Sequence, residues 1–461
     1  MLVIGGGIVG AGIARDAAMR GLNVKLVEQH DFASGTSSKT SRLLHGGLRY
    51  LAQGNIKLVH EASREKVILK KIAPHLSTAL PFVFPTRKKG TWKKWKLSIG
   101  VKIYDWLCYG KNFGPSQSLS TKEITELVTG LNSDALTGGV RYYDGFTCDS
   151  RLVIDTLRSA SRHGAEIRNY CRFVKAKREN KIWNCTLTTK NSGNETIQSK
   201  FIVNASGPWC NNFKRSSITV RPSKGAHLII HKNKLSLNNA VVMPEGKRIL
   251  FAIPWGERVI LGTTDTYYDG PLNTIKCDEE DKGYILNVVN KNFPNADISK
   301  KDILSTYAGL RPLVYDGSKG PSDISRKHEI KLSEEGWLDV AGGKLTTYRL
   351  IAEETVDKIY QQQNQLSPPC HTANEPLLTK EEQKKNTSHV IPPTLSKEVV
   401  FHYCANEWAR HLNDVMIRRS GWKHYVDDSK ATALQVLEWM SGYFSWDKDT
   451  QVKELERYYS S

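Results

Sequence analysis

Leu2-Val3-Ile4-Gly5-Gly6-Gly7-Ile8-Val9-Gly10 runs on into Ala11-Gly12-Ile13-Ala14-Arg15-Asp16-Ala17-Ala18, and this stretch decides the fold. An apolar run breaks into glycines and then into a small-residue segment, which predicts a buried strand, a tight turn and a helix. Gly5, Gly7 and Gly10 stand at G-x-G-x-x-G spacing. The first allows the turn, the second lets a pyrophosphate approach the backbone, and the third lets the helix pack closely on the strand. The helix N-terminus then offers N–H groups and a positive dipole end to phosphate. Val24-Lys25-Leu26-Val27 predicts a second strand, and Glu28 at its end is placed to accept the hydroxyls of an adenosine ribose. One glycine motif alone is weak. Strand, glycines, helix, strand and acid in order are together specific for a dinucleotide.

The segment after Glu28 separates flavin from nicotinamide. A nicotinamide domain would pass directly to another helix and strand, whereas here a Ser/Thr/Gly-rich loop spans Asp31 to Ser41 and leads into Arg42-Leu43-Leu44-His45-Gly46-Gly47-Leu48-Arg49-Tyr50. Such a loop can donate hydroxyls and N–H groups along a long, fixed cofactor. In IGGGIVGAGIARDAAMRGL (4–22), DFASGTSSKTS (31–41) and LLHGGLRYL (43–51) the chain resembles the flavin-dependent glycerol-3-phosphate dehydrogenases of the amino-acid-oxidase-like flavoprotein superfamily. Shorter matching words are Ala205-Ser206-Gly207, Lys224-Gly225-Ala226-His227, Ile253-Pro254-Trp255, Gly262-Thr263-Thr264-Asp265 and Ala308-Gly309-Leu310-Arg311-Pro312-Leu313. The resemblance implies FAD as cofactor, with no covalent attachment expected.

At 461 residues the chain is long enough for about three domains. No run reaches about 18 consecutive apolar residues, so no membrane-spanning helix is expected. The start lacks the basic n-region of a signal peptide. The first strand begins almost at Met1, and a few residues upstream are allowed for. Eight cysteines without C-x-x-C spacing argue against a zinc ribbon or redox pair and for a reducing compartment. No metal-spaced ligand set stands out. A net charge of +19 suits nucleic acid, an anionic membrane or an anionic substrate, and is also ordinary in lysine-rich proteomes.

The expected fold is α/β: a Rossmann-like FAD-binding domain built from separated segments (1–80, 140–210 and 330–360), an inserted antiparallel-sheet substrate domain (81–139 and 211–329), a linker (361–395) and a C-terminal helical domain (396–461). Leu80-Pro81-Phe82-Val83-Phe84-Pro85 predicts a short edge strand bracketed by prolines. Asp149-Ser150-Arg151 is expected to cap a helix running to about His163. Residues 87–111 carry eight Lys/Arg against the single acid Asp105, interleaved with Trp92, Trp95, Tyr104, Trp106 and Tyr109. A solvated helical hairpin is the plain reading. The density of both residue types favours a face that meets something anionic and partly apolar.

The reaction implied by the resemblance oxidises sn-glycerol 3-phosphate to dihydroxyacetone phosphate, with a hydride passing from C2 to flavin N5. Arg49 and Arg311 are the expected phosphate clamp, since planar guanidinium groups bind phosphate oxygens in pairs. Tyr50, Lys344 and Thr264 support them. His45 and His227 are the candidate bases, because imidazole accepts a proton near neutral pH. His227 is expected near the substrate and His45 nearer the flavin, with Asp265 orienting either one. The cofactor set is Gly5, Gly7, Gly10, Glu28, Thr36, Ser37, Ser38, His45, Gly46, Ala205, Gly207, Gly342, Gly343, Lys344, Leu345 and Thr346. Gly342-Gly343 is expected to begin a helix aimed at the flavin. The family's electron acceptor is a membrane quinone, which implies peripheral attachment to an anionic surface on the cytoplasmic face of the inner membrane. A homodimer is compatible with this, and nucleic acid is not an expected partner. Three other readings stay open: an oxidase delivering electrons to oxygen, a flavin-dependent RNA-modifying protein, and a flavoprotein scaffold without catalysis.

Overall fold

Leu2 and Val3 are wholly buried, one on each side of the strand they share, and that places the strand Leu2–Ile4 in the middle of a sheet. The computed structural model describes residues 1–52, 54–108, 110–189, 193–246, 248–317 and 327–461, with the backbone alone at Arg49 and Ala52. Among these residues the first sheet has six strands, in the order 328–332, 337–342, 202–204, 2–4, 25–27, 166–168. All neighbours are parallel except the edge pair His328–Leu332 and Trp337–Gly342. Segments far apart in the chain thus return to one layer beside the first strand.

The two faces follow the period of two. Val3 and Leu26 point into a core shared with the helices Ile8–Met19, Asp149–Arg162 and Tyr348–Gln362. Leu2, Ile4 and Val27 point the other way, onto Phe173, Trp183 and Leu187 of a three-stranded antiparallel sheet. At Gly12 the helices approach so closely that a Cβ would lie 2.8 Å from Tyr348 Cδ2.

The second large sheet has ten strands, ordered 266–267, 220–231, 258–262, 248–255, 240–245, 78–87, 136–146, 43–44 along its main path. Strand Ile303–Val314 pairs with Val220–His231 along almost its whole length. The sheet is antiparallel apart from one short parallel ladder, Ala240↔Phe82 and Val241↔Val83. The edge strand expected at 80–85 is therefore the ten-residue interior strand Thr78–Arg87, paired on both sides. Pro81 and Pro85 are tolerated there because the parallel ladder touches only Phe82 and Val83, two of the three residues between them. Strand Leu136–Phe146 also belongs to this sheet, so the chain re-enters the dinucleotide layer at the helix Asp149–Arg162 rather than at residue 140.

Three local expectations change. Asp149 is the first helical residue rather than the cap, and its carboxylate accepts Thr40 N–H (3.0 Å) and Thr40 Oγ1–H (2.8 Å). Gly342 ends a strand, and a helix begins only at Tyr348 after a tight turn at Leu345–Thr347. Residues 361–395, expected as a linker, lie along the dinucleotide domain. Buried Arg15 donates to the carbonyls of Thr372 (3.1 Å) and Glu375 (2.7 Å), and Leu377 is buried. The strap is held by such backbone contacts and by isolated apolar anchors, Leu377 on the dinucleotide domain and Val390 on the large sheet, too far apart to leave an apolar period in the sequence.

After the strap come the helices Lys397–Asn406, Ser429–Phe444 and Lys448–Ser460 around a core of Val400, Tyr403, Trp422, Val436 and Met440. Helix Lys94–Leu107 lies against the large sheet through Leu97, Val101, Tyr104 and Leu107. Its opposite face exposes Trp95 (63%), Ile99 (53%), Ile103 (39%) and Trp106 (76%). Segment 87–111 thus holds one helix with two apolar faces; its Tyr109 lies outside the described residues. Among the described residues no helix is long and apolar enough to cross a membrane.

Candidate active site

Two adjoining cavities, of about 330 and 310 Å³, share Thr36, Thr40, Pro312, Gly342, Gly343, Lys344 and Leu345 as wall. Together they make one trough from the first glycine turn to the large sheet.

The glycine turn builds the first end. Gly5 has φ +112°, and a Cβ there would lie 2.6 Å from Ala205 O, so the turn presses against the end of the strand Ile202–Asn204. A Cβ on Gly10 would lie 2.0 Å from Gly5 O, which only glycine permits. Gly7 faces the trough. Glu28 accepts the N–H of Gly6 (2.8 Å) and of His30 (2.9 Å), which fixes its carboxylate at the cavity wall. Burial raises its pKa. Ser37 Oγ accepts Ile8 N–H at 3.0 Å and caps the helix from outside its own segment. Ala205, Gly207, Gly342, Gly343 and Leu345 complete this wall. The open space over Gly207, where a Cβ would meet nothing within 4 Å, fits an extended dinucleotide lying along the backbone.

Some predicted cofactor residues sit behind the wall instead. Gly10 and Ser38 line neither cavity, and Gly46 serves packing: its N–H donates to Tyr104 Oη (2.6 Å), and a Cβ would strike Ser63 and Tyr104. Tyr104 in turn donates to Asp144, which also takes Lys66 Nζ at 2.8 Å. This buried triad fixes the His45–Gly47 turn, and nothing local in the sequence signals it. Thr346 Oγ1 accepts His45 N–H at 3.0 Å, so His45 is tied to the other cofactor loop.

At the far end Arg311 is braced from two sides. One guanidinium nitrogen donates to Asp265 Oδ1 (3.1 Å) and the other to Thr263 Oγ1 (3.0 Å) and Thr264 O (3.1 Å). The side chain keeps 25% exposure toward the cavity. Thr264, expected on the substrate, instead accepts Ala226 N–H (2.9 Å) with its hydroxyl and is buried; its neighbour Thr263 lines the cavity. Tyr50 and Lys344 meet across the trough, with Nζ 4.1 Å from the ring centroid. The side chain of Arg49 lies outside the described residues.

His227 lines the same cavity and is 2% exposed. Its Nε2 bonds Ser41 Oγ at 2.9 Å, its ring stacks on Tyr307 at 4.7 Å, and its Nδ1 has no hydrogen-bond partner among the described residues. Ser41, not Asp265, therefore orients this ring. Burial, with the charges of Arg311 and Arg42, pushes its pKa down to about 3. His227 is a neutral imidazole beside a rigid cation, an arrangement able to take a proton from a hydroxyl whose substrate carries an anion. Sequence reading missed Ser41, Tyr307 and Thr263, although each lies within or beside a word it singled out. Among the described residues no cluster of His, Cys, Asp and Glu could hold a metal.

The chain is similar to known proteins along most of its length. The family model described as FAD dependent oxidoreductase matches residues 1–349. Aerobic glycerol-3-phosphate dehydrogenase of Staphylococcus aureus is 40% identical over 369 residues, which are 78% of this chain and 66% of that protein. The match thus spans just under two thirds of the curated relative's length. The solved glycerol-3-phosphate dehydrogenase of Bacillus halodurans, complexed with FAD, superposes with a TM-score of 0.79 at 27% identity, covering 99% of this chain and 93% of that one. Glycine oxidase of Geobacillus kaustophilus, at 19% identity and a TM-score of 0.56 over 82% of this chain and 98% of that one, shares the fold.

Proposed function

The chain belongs to the FAD dependent oxidoreductase family, and from that premise we propose that it oxidises sn-glycerol 3-phosphate to dihydroxyacetone phosphate. The observation that carries this reading is Arg311, braced by Asp265, Thr263 and Thr264 in the wall that also holds His227. A braced guanidinium loses little freedom when a phosphate approaches its partly exposed face, and its fixed positive charge stands ready for the anion. Tyr50 and Lys344 close on the substrate from the other side. With the phosphate seated, the Arg311 charge that adds to burial and Arg42 in depressing His227 is offset, so its basicity rises when there is a proton to accept. The tautomer with Nε2–H donating to Ser41 leaves Nδ1 to take the C2 hydroxyl proton. FAD, when bound, supplies the acceptor for the C2 hydride. Loss of one proton and one hydride converts the secondary alcohol to the ketone.

The electrons are proposed to pass to a membrane quinone, with the protein held peripherally on the inner face of an anionic membrane. Trp95, Ile99, Ile103 and Trp106 form one exposed apolar stripe on a helix flanked by exposed Lys93, Lys96 and Lys102. Indole rings suit the headgroup boundary, and each lysine near an anionic leaflet adds about 1 kcal/mol. Trp95→Glu with Trp106→Glu should abolish co-sedimentation with anionic vesicles while leaving substrate-driven flavin reduction intact. Undiminished sedimentation would remove this helix as the anchor.

The substrate is tested by anaerobic addition of glycerol 3-phosphate, glycerol and a panel of amines, following flavin absorbance near about 450 nm. Bleaching by the phosphate ester alone is expected. Bleaching by an amine alone would refute the reading. Reoxidation by a quinone analogue against oxygen then separates dehydrogenase from oxidase.

A further inference from the structure

The C-terminal helical segment supplies none of the groups used above, yet two of its buried charges lead to the cofactor. We infer that Arg418 and Arg419 are positioning residues for FAD, acting through Asp31 on the loop that walls the cofactor trough. Asp31 is 1% exposed, and its carboxylate takes Arg419 through both terminal nitrogens (2.7 and 2.8 Å) and Arg418 through Nε. Asn169 Nδ2 donates to Asp31 (3.1 Å) and also to Trp408 O (2.8 Å), binding the same two segments again. The chain leaves the helix Lys397–Asn406 and sets Trp408 at φ +56°, edge-on to Phe32 at 5.5 Å.

The other side of this loop is cofactor wall. His30, Ala33 and Ser34 line the trough while Asp31 and Phe32 face the C-terminal segment. Ala33 has φ +59°, and its N–H donates to Gly6 O at 3.0 Å, which registers the loop on the glycine turn. A Cβ on Gly6 would lie 2.6 Å from Phe32 and 2.9 Å from Glu28, so Phe32 and the expected ribose acceptor pack on the same glycine. A shift of Asp31 therefore moves both the loop and the Glu28 end of the trough. Although burial pushes Asp31 up, the Arg419 and Arg418 charges hold it well below the usual carboxylate range, so the clamp stays ionised at working pH. The segment also bonds the substrate sheet, through Arg258–Asp427 at 2.6 Å, and that contact touches no cofactor residue.

The test is FAD affinity of the full chain, measured by fluorescence titration of flavin-free protein, beside its melting temperature without flavin. Arg419→Met and Asp31→Asn should each raise the FAD Kd at least tenfold, and together little more than either alone, because they break one contact. Excess FAD should restore the visible spectrum of the bound flavin. Asp427→Asn, which loosens the segment elsewhere, should stay within twofold. If the first two variants do not fold, Arg419→Lys carries the comparison, with a rise of at least threefold expected. A folded variant at Asp31 or Arg419 that binds FAD within twofold of wild type overturns the inference. So does an equal loss in Asp427→Asn, which would mean that general docking of the segment, not the clamp, governs the cofactor.

Discussion

Removing the Arg311 guanidinium does two separable things, and the structure says how to separate them. Arg311→Met deletes the positive charge held toward a substrate anion, a loss of about 2–4 kcal/mol for one partner of a desolvated pair. It also leaves Asp265, 9% exposed, without its guanidinium partner next to the place the anion would occupy. At a separation of about 6 Å and an effective dielectric constant of about 20, that repulsion costs roughly 3 kcal/mol. The single variant should thus lose about 10⁴- to 10⁵-fold in kcat/KM for glycerol 3-phosphate, at about 1.36 kcal/mol per decade. Arg311→Met with Asp265→Asn keeps the first loss and removes the second, and should recover about 100-fold. Glycerol, lacking the phosphate, should change little in either variant. Steady-state rates with an artificial electron acceptor measure all of these. If the double variant is no better than the single, or glycerol suffers equally, Arg311 serves the fold or the cofactor and the phosphate assignment fails.

Other consequences are independent of that one. Burial, first, and nearby cations hold both His227 and His424 down to about 3, against about 6.5 unfolded, so the unfolded chain binds more protons between those values. Their contribution is fully present above pH 6.5 and drains as pH falls toward 3, at roughly 1.4 kcal/mol per pH unit each. His424→Gln, which can keep the bond to Ser305, should cut the loss in urea stability between pH 7 and 4.5 by about 2–3 kcal/mol; an unchanged pH slope would show that His424 titrates normally. Glu28→Gln should weaken FAD about tenfold, some 1.4 kcal/mol, with FMN affinity unaffected, because the carboxylate lines the glycine-turn end of the trough, where the adenosine ribose is expected. Equal losses for both flavins would move Glu28 from the ribose to the turn itself.

What could be read from the chain beforehand was what repeats locally or is forced by sterics. Gly5 and Gly10 announce a turn because no other residue survives at φ +112° or 2.0 Å from a carbonyl, and such constraints leave their mark at one position. Alternation of Leu2, Val3 and Ile4 between two cores likewise needs only three residues of context. The groups that escaped notice are partners from remote segments. Lys66 meets Asp144 across 78 positions, and Arg419 meets Asp31 across 388. Each of these looks like any other surface charge until the fold buries it, and a buried charge must find its opposite or cost several kcal/mol. The same blindness explains Thr264: within Gly262-Thr263-Thr264-Asp265 both threonines are chemically fit to bind a substrate. Only the pairing of Ala226 N–H with Thr264 Oγ1 turns one inward and leaves the other on the cavity. Motifs locate a site to within a residue or two, while hydrogen bonds made far along the chain decide which side chain faces it. The positions where those remote bonds converge on the trough, Asp31 and Asp265 above all, are where substitution should separate cofactor retention from substrate recognition.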